Sequence, residues 1–167
     1  MSLPAHPAPW FDPAVLQPGR AAAPGVAGRV PSRTAQLCLP SERSGCGQAR
    51  AFTERVLTDW ELDHCLDDAL TIVSELTANA LLHAVRPEVD GETASEVRLR
   101  LTRRPAHLVC AVTDQSPSVP TGPHTADPLQ EHGRGLFLVE ALAQHWGWTR
   151  TTSTGKTVWA MLPTERG

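Results

Sequence analysis

The chain has 167 residues, 41% of them hydrophobic and 20% charged, with a net charge of −3. That length supports one ordinary domain with a real hydrophobic core and is too short for two comfortable ones. The small negative charge gives no electrostatic attraction for nucleic acid or an anionic membrane. No run approaches the roughly 18 apolar residues of a membrane span, so neither partner is expected.

Residues 1–32 form a Pro/Ala/Gly-rich block, with prolines at 4, 7, 9, 13, 18, 24 and 31. Such a stretch sustains neither a helix nor a strand ladder. It reads as a disordered tail, which leaves 33–167 as the domain. The first residues, MSLPAHPAPW, carry neither the positive n-region nor the apolar h-region of a signal peptide, and a cytoplasmic location is expected. Cys38, Cys46, Cys65 and Cys110 show no C-x-x-C spacing and read as structural or incidental thiols.

From Arg33, RTAQLCLP alternates loosely, as an edge strand does. Ala49, Phe52, Val56 and Trp60 then mark one face of a helix, with Ser41 or Ser44 as its cap. LDHCLDDALTIVSELTANALLHAV is the strongest helical stretch. Leu66, Ala69, Val73, Leu76 and Ala80 make its core face, and Pro87 ends it. SEVRLRLTRR alternates strictly, with Val97, Leu99 and Leu101 opposed to Arg98, Arg100 and Thr102. RRPA turns the chain into HLVCAVTD, a continuous apolar run that reads as a central strand. QSPSVPTGPHTADPLQEH is a long proline-rich loop of the kind that is either a functional lid or disordered. GRGLFLVEALAQHWG restores helical periodicity through Leu136, Val139, Leu142 or Ala143, and Trp146. WTRTT and TVWAMLP flank STGK as a second hairpin. Helices and antiparallel strands thus come in alternating groups, which predicts an α+β two-layer sandwich.

Three places can carry chemistry. Glu75 and Asn79 are four apart and share a helix face, which His83 continues. A solvated face is the plain reading of such a strip. Leu81 and Leu82, however, make that end of the helix apolar nearly all round, so Asn79 is expected half-buried and in need of a partner. Its carboxamide oxygen is a suitable hard ligand for magnesium. Asp114 ends the apolar strand, where a carboxylate either closes its own turn or accepts a hydrogen bond from an exocyclic amine such as that of adenine. Gly133 and Gly135 precede a helix and let the backbone approach an anion at its N-terminus, and Arg134 adds a formal charge. A metal ligand, a base reader and a phosphate loop are the three parts of a magnesium–nucleotide site.

At these motifs the sequence resembles a known class. SELTANALLHA is similar to the N-box of the GHKL ATP-binding domains, VTDQSPSVP to their first glycine box, and GRGLFLVEALAQHWG to the second. The details resemble the anti-sigma-factor serine/threonine kinase-like branch, found among small actinobacterial ATP-binding regulators, over about residues 35–163. The resemblance implies the Bergerat fold, a mostly antiparallel mixed sheet covered on one face by helices. It implies ATP and Mg2+ as cofactors, with Asn79 on the metal and Glu75 as general base. It puts Asp114 on adenine with Ser116 beside it, and Gly133, Arg134, Gly135 and Leu136 along the phosphates, near His83. Of the final box, Lys156 or Thr157 lines the pocket, and Lys156 alternatively reaches the phosphates or only closes a hairpin. The first box departs from the D-x-G-x-G of the wider class, because Asp114-Gln115-Ser116-Pro117-Ser118 has no glycine.

The implied partners are a sigma factor and an anti-anti-sigma protein, with a homodimer as in relatives of this branch. Two functions follow: a serine/threonine protein kinase acting on the anti-anti-sigma partner, or a non-catalytic ATP-binding module whose lid gates a partner surface. A histidine kinase fragment ranks below both, since no dimerising helix with a phosphoacceptor histidine is visible.

Overall fold

The computed structural model describes residues 32–42, 44–84, 96–116, 134–151 and 155–165. The segment read as a tail therefore lies outside the described residues, apart from Ser32. The described chain forms strand β1 (Arg33–Leu39), helix α1 (Ser44–Asp59), a 3-10 turn (Asp63–Cys65) and helix α2 (Leu66–Ala84). Strands β2 (Val97–Arg103) and β3 (His107–Asp114), helix α3 (Arg134–Leu142), and strands β4 (His145–Arg150) and β5 (Lys156–Pro163) follow. The five strands make one sheet in the order β1-β2-β3-β5-β4. Every pairing among them is antiparallel.

Alternation sorts the strands' side chains between two faces. Val97, Leu99 and Leu101 of β2, Leu108, Cys110 and Val112 of β3, and Val158, Ala160 and Leu162 of β5 join the helices in one core. On α2, the expected face is the buried one: Ala69, Val73, Leu76 and Ala80 are all nearly inaccessible. The α+β two-layer expectation is borne out, with β1 at the sheet edge and β3 at its centre.

The outer face of the sheet is less solvated than the arginines of β2 suggest. Arg100 and Thr102 are buried there, as are Val109, Ala111, Trp159 and Met161. Trp159 lies against Gly147, where an added Cβ would come within 2.9 Å of the indole ring.

Two expected boundaries shift. The helix starting at Arg134 does not continue through Trp146, because Gln144 already donates its N–H to Met161 O and the chain turns into β4 at His145. Ladder pairing with β5 overrides a periodicity that both structures satisfy, since Trp146 still packs on the core from the strand. Ser44 is the first residue of α1 rather than its cap.

The end of α1 is fixed by a left-handed residue. Glu61 has φ 58°, Glu61 N donates to Thr58 O and Leu62 N to Leu57 O. This is the Schellman arrangement, which normally places glycine at the left-handed position. Glu61→Gly is therefore expected to raise stability by about 1 kcal/mol, read as a melting temperature a few degrees higher. Close helix approach gives the opposite case. A Cβ on Gly45 would come within 2.8 Å of Pro40 O and 2.9 Å of Leu81 Cδ1. Gly45→Ala is expected to cost about 1–3 kcal/mol by overpacking, and an unchanged urea midpoint would refute that close contact.

Candidate functional site

The register of β3 and β5 decides what lies at one end of the sheet. Asp114 is paired with Lys156, and Thr113 with Thr157. Successive residues face opposite ways, so Asp114 and Lys156 point to the helical layer. Thr113 and Thr157 point away, where their hydroxyls are 2.7 Å apart. Of the two final-box candidates, Lys156 is thus the one on the helix side.

Asp114 and Lys156 form a buried ion pair. Lys156 Nζ lies 2.9 Å from Asp114 Oδ1, with side-chain exposures of 4% and 2% for the lysine and the aspartate. Ser116 N donates to the same Oδ1 at 2.8 Å, and Lys156 Nζ lies 3.5 Å from Ser116 O. Asp114 therefore closes its own turn, as a strand-ending aspartate can. That turn also explains how the box dispenses with its first glycine, whose place Ser116 takes. Among the described residues the only non-glycine with positive φ is Glu61, so the path from Asp114 to Ser116 needs no left-handed residue.

Three further observations bring the other elements to this end. The start of α2 is tied to the far end of β5, where Cys65 Sγ donates to Pro163 O and His64 Nε2 lies 2.8 Å from Thr164 O. Leu81, near the other end of α2, approaches the chain beside Pro40, just after Leu39, which pairs with Val97. Hence α2 runs toward the Asp114 end, and Asn79 lies in its last part. Helix α3 runs the other way, since Gln144, two residues after it, bonds to Met161. Its N-terminus, with Leu136 buried in the first turn, is at the Asp114 end and packs against α2.

Glu75 and Asn79 are both half-buried. The charge of Glu75 reaches the first turn of α1: burial pushes the Cys46 thiol pKa up, and the Glu75 carboxylate adds to that rise. Among the described residues, no group of three or more His, Cys, Asp and Glu side chains could hold a metal. Half-buried Asn79 offers one neutral, hard carboxamide oxygen, a donor of the kind magnesium accepts when phosphates and water fill the rest of its shell. The side chains of His83 and Arg134, the surroundings of Gly135, and Gly133 with the whole loop 117–133 lie outside the described residues. Elsewhere, Cys110 is wholly buried and its pKa is pushed up to about 12 by burial, in keeping with a structural thiol. No described helix is long and apolar enough to cross a membrane.

Sequence reasoning missed two residues. Trp148 and Arg150 share the inward face of β4, and Arg150 is paired with Lys156. The Arg150 guanidinium stands 5.7 Å from the Trp148 ring centre, within cation–π reach. The indole Nε1 of Trp148 is buried and has no hydrogen-bond partner among the described residues. The alternation Trp146, Trp148, Arg150 was the available signal, hidden by assigning Trp146 to the helix.

Comparison with known proteins follows the same lines. Residues 39–162 match the family described as Histidine kinase-like ATPase domain. No curated protein matches the chain. Among solved structures the chain is similar to the RsbU and RsbW domains of Rv1364c from Mycobacterium tuberculosis, with a TM-score of 0.57 and 17% identity. The likeness covers 78% of this chain and 31% of that one. At that identity it speaks for the fold, and this chain spans less than a third of that longer protein's chain. With the family matched over most of the molecule, and with Asp114, the last part of α2 and the start of α3 at one end of the sheet, the chain belongs to the histidine kinase-like ATPase domain family, the class that the N-box and glycine boxes resemble.

Proposed function

We propose that this chain is a magnesium-dependent ATP-binding regulatory protein of the anti-sigma-factor type, a serine/threonine kinase that phosphorylates an anti-anti-sigma partner. One observation carries the reading: a buried, oriented carboxylate, Asp114, stands at the same end of the sheet as Asn79 and the N-terminus of α3. Each has the chemistry of one part of the nucleotide. The Asp114 carboxylate accepts the exocyclic amine of adenine. The free N–H groups and partial positive charge of the α3 N-terminus suit the phosphates. The Asn79 carboxamide oxygen suits the magnesium ion that accompanies them, which when bound offsets phosphate charge.

Glu75 lies one turn before Asn79 on the same strip of α2 and takes the proton from the attacking serine hydroxyl. That role needs reach to the γ-phosphate more than an unusual proton affinity. Membership of the histidine kinase-like ATPase domain family supports nucleotide binding, and the likeness to a structure that includes an RsbW domain supports the regulatory setting. The other function that the sequence allows, a module without turnover, uses the same nucleotide site.

Incubation with γ-labelled ATP and candidate anti-anti-sigma proteins separates the two. Transfer to a partner serine is expected, reduced about 100-fold or more in Glu75→Ala while ATP affinity is kept. Tight ATP binding with no transfer to any of these partners favours the gating module. Asn79→Ala is expected to weaken ATP binding about tenfold or more in the presence of magnesium and little in its absence. Equal magnesium dependence in the variant and the parent would remove the metal role.

A further inference from the structure

Lys156 is the only lysine in the chain, and it is buried. Its ammonium lies 2.9 Å from Asp114 Oδ1 and 3.5 Å from Ser116 O. It is thus committed to the turn that follows β3 and is not extended toward the N-terminus of a helix. Oδ1 of Asp114 already receives two donors, Lys156 Nζ and the Ser116 N–H. Among the described residues none donates to Oδ2. We propose that Lys156 is a positioning residue of the nucleobase pocket: it holds Asp114 through Oδ1 so that Oδ2 meets the exocyclic amine of the base.

The inference rests on the reading of Asp114 as the base contact and adds how that contact is built. A carboxylate rotates about its last torsion with little preference. Two donors on one oxygen fix that torsion and leave a single direction for the second oxygen. The ammonium also compensates the charge of a carboxylate that is only 1% exposed. Lys156 therefore serves the base end of the nucleotide and makes no phosphate contact.

The test uses the full chain and compares ATP with purine riboside triphosphate, in which hydrogen replaces the 6-amino group. The parent protein is expected to prefer ATP about tenfold or more, as for a hydrogen bond to a charged acceptor. In Lys156→Met the preference is expected to fall to about one. A folded Lys156→Met that keeps the parent preference overturns the proposal. Asp114→Asn tells the two readings apart. If it also keeps the preference, the base contact itself is wrong. If it loses the preference while Lys156→Met keeps it, only the role of Lys156 falls.

A second measurement needs no variant and covers the case in which Lys156→Met does not fold. Protein grown on 15N-lysine carries one side-chain Nζ resonance. Adenosine is expected to move it, and inorganic tripolyphosphate is not. A resonance that adenosine leaves in place overturns the proposal, whether or not tripolyphosphate shifts it.

Discussion

The pairing of β3 with β5 is the constraint on which the site depends. It places Asp114 opposite Lys156 and turns both toward the helices. A slip of one residue would reverse every side chain of a strand between the two faces. It would bring a threonine into the site and send a charged residue to the outer face. The apolar part of the ladder prevents this, because Val158, Ala160 and Leu162 reach the main core only in the observed register. Core packing some distance away thus determines which atoms stand at the strand ends.

A buried ion pair is a poor way to gain stability. Desolvating each ion in a low-dielectric interior costs about 20 kcal/mol in the idealised limit, and well-packed apolar residues often do as well in its place. Removing one partner is another matter and costs about 3–5 kcal/mol. The Asp114–Lys156 pair is therefore hard to lose one residue at a time, yet stability alone does not call for it. The proposed base contact, which needs a charged acceptor in a dry place, does.

Helix α2 couples this end to the rest of the molecule. Its inner flank fills the core, while the strip carrying Glu75 and Asn79 remains half-buried. Arg50 donates to Ser74 at 2.6 Å, and the Gly45–Leu81 contact fixes the spacing to α1. The depth at which Asn79 stands is set by packing on the opposite flank. Much of this was legible. The core face of α2 and the alternation of β2 are strict patterns, and strict patterns leave one way to bury them. What stayed illegible depended on pairing. Lys156 and Thr157 are adjacent in a strand of period two, and only the partner strand decides which one faces inward. Trp146 satisfied helical and strand spacing alike, so the first residues of β4 were hidden, and with them the shared face of Trp146, Trp148 and Arg150. The burial of Arg100 could not be foreseen, because alternation assigns a residue to a face and says nothing of how that face is covered.

Register also bears on why a lysine stands at 156. Fifteen residues of the chain are lysine or arginine, and only this one is lysine. A guanidinium is a planar fork that pairs with both oxygens of a carboxylate. Opposite Asp114 it would occupy both carboxylate oxygens. An ammonium is a point charge on a flexible stem. It compensates the same carboxylate through Oδ1 alone, the geometry seen at 2.9 Å, and leaves Oδ2 for a third party. The choice between the two cations is thus a choice between a closed structural pair and an open one, and the cation present at this strand end belongs to the open kind.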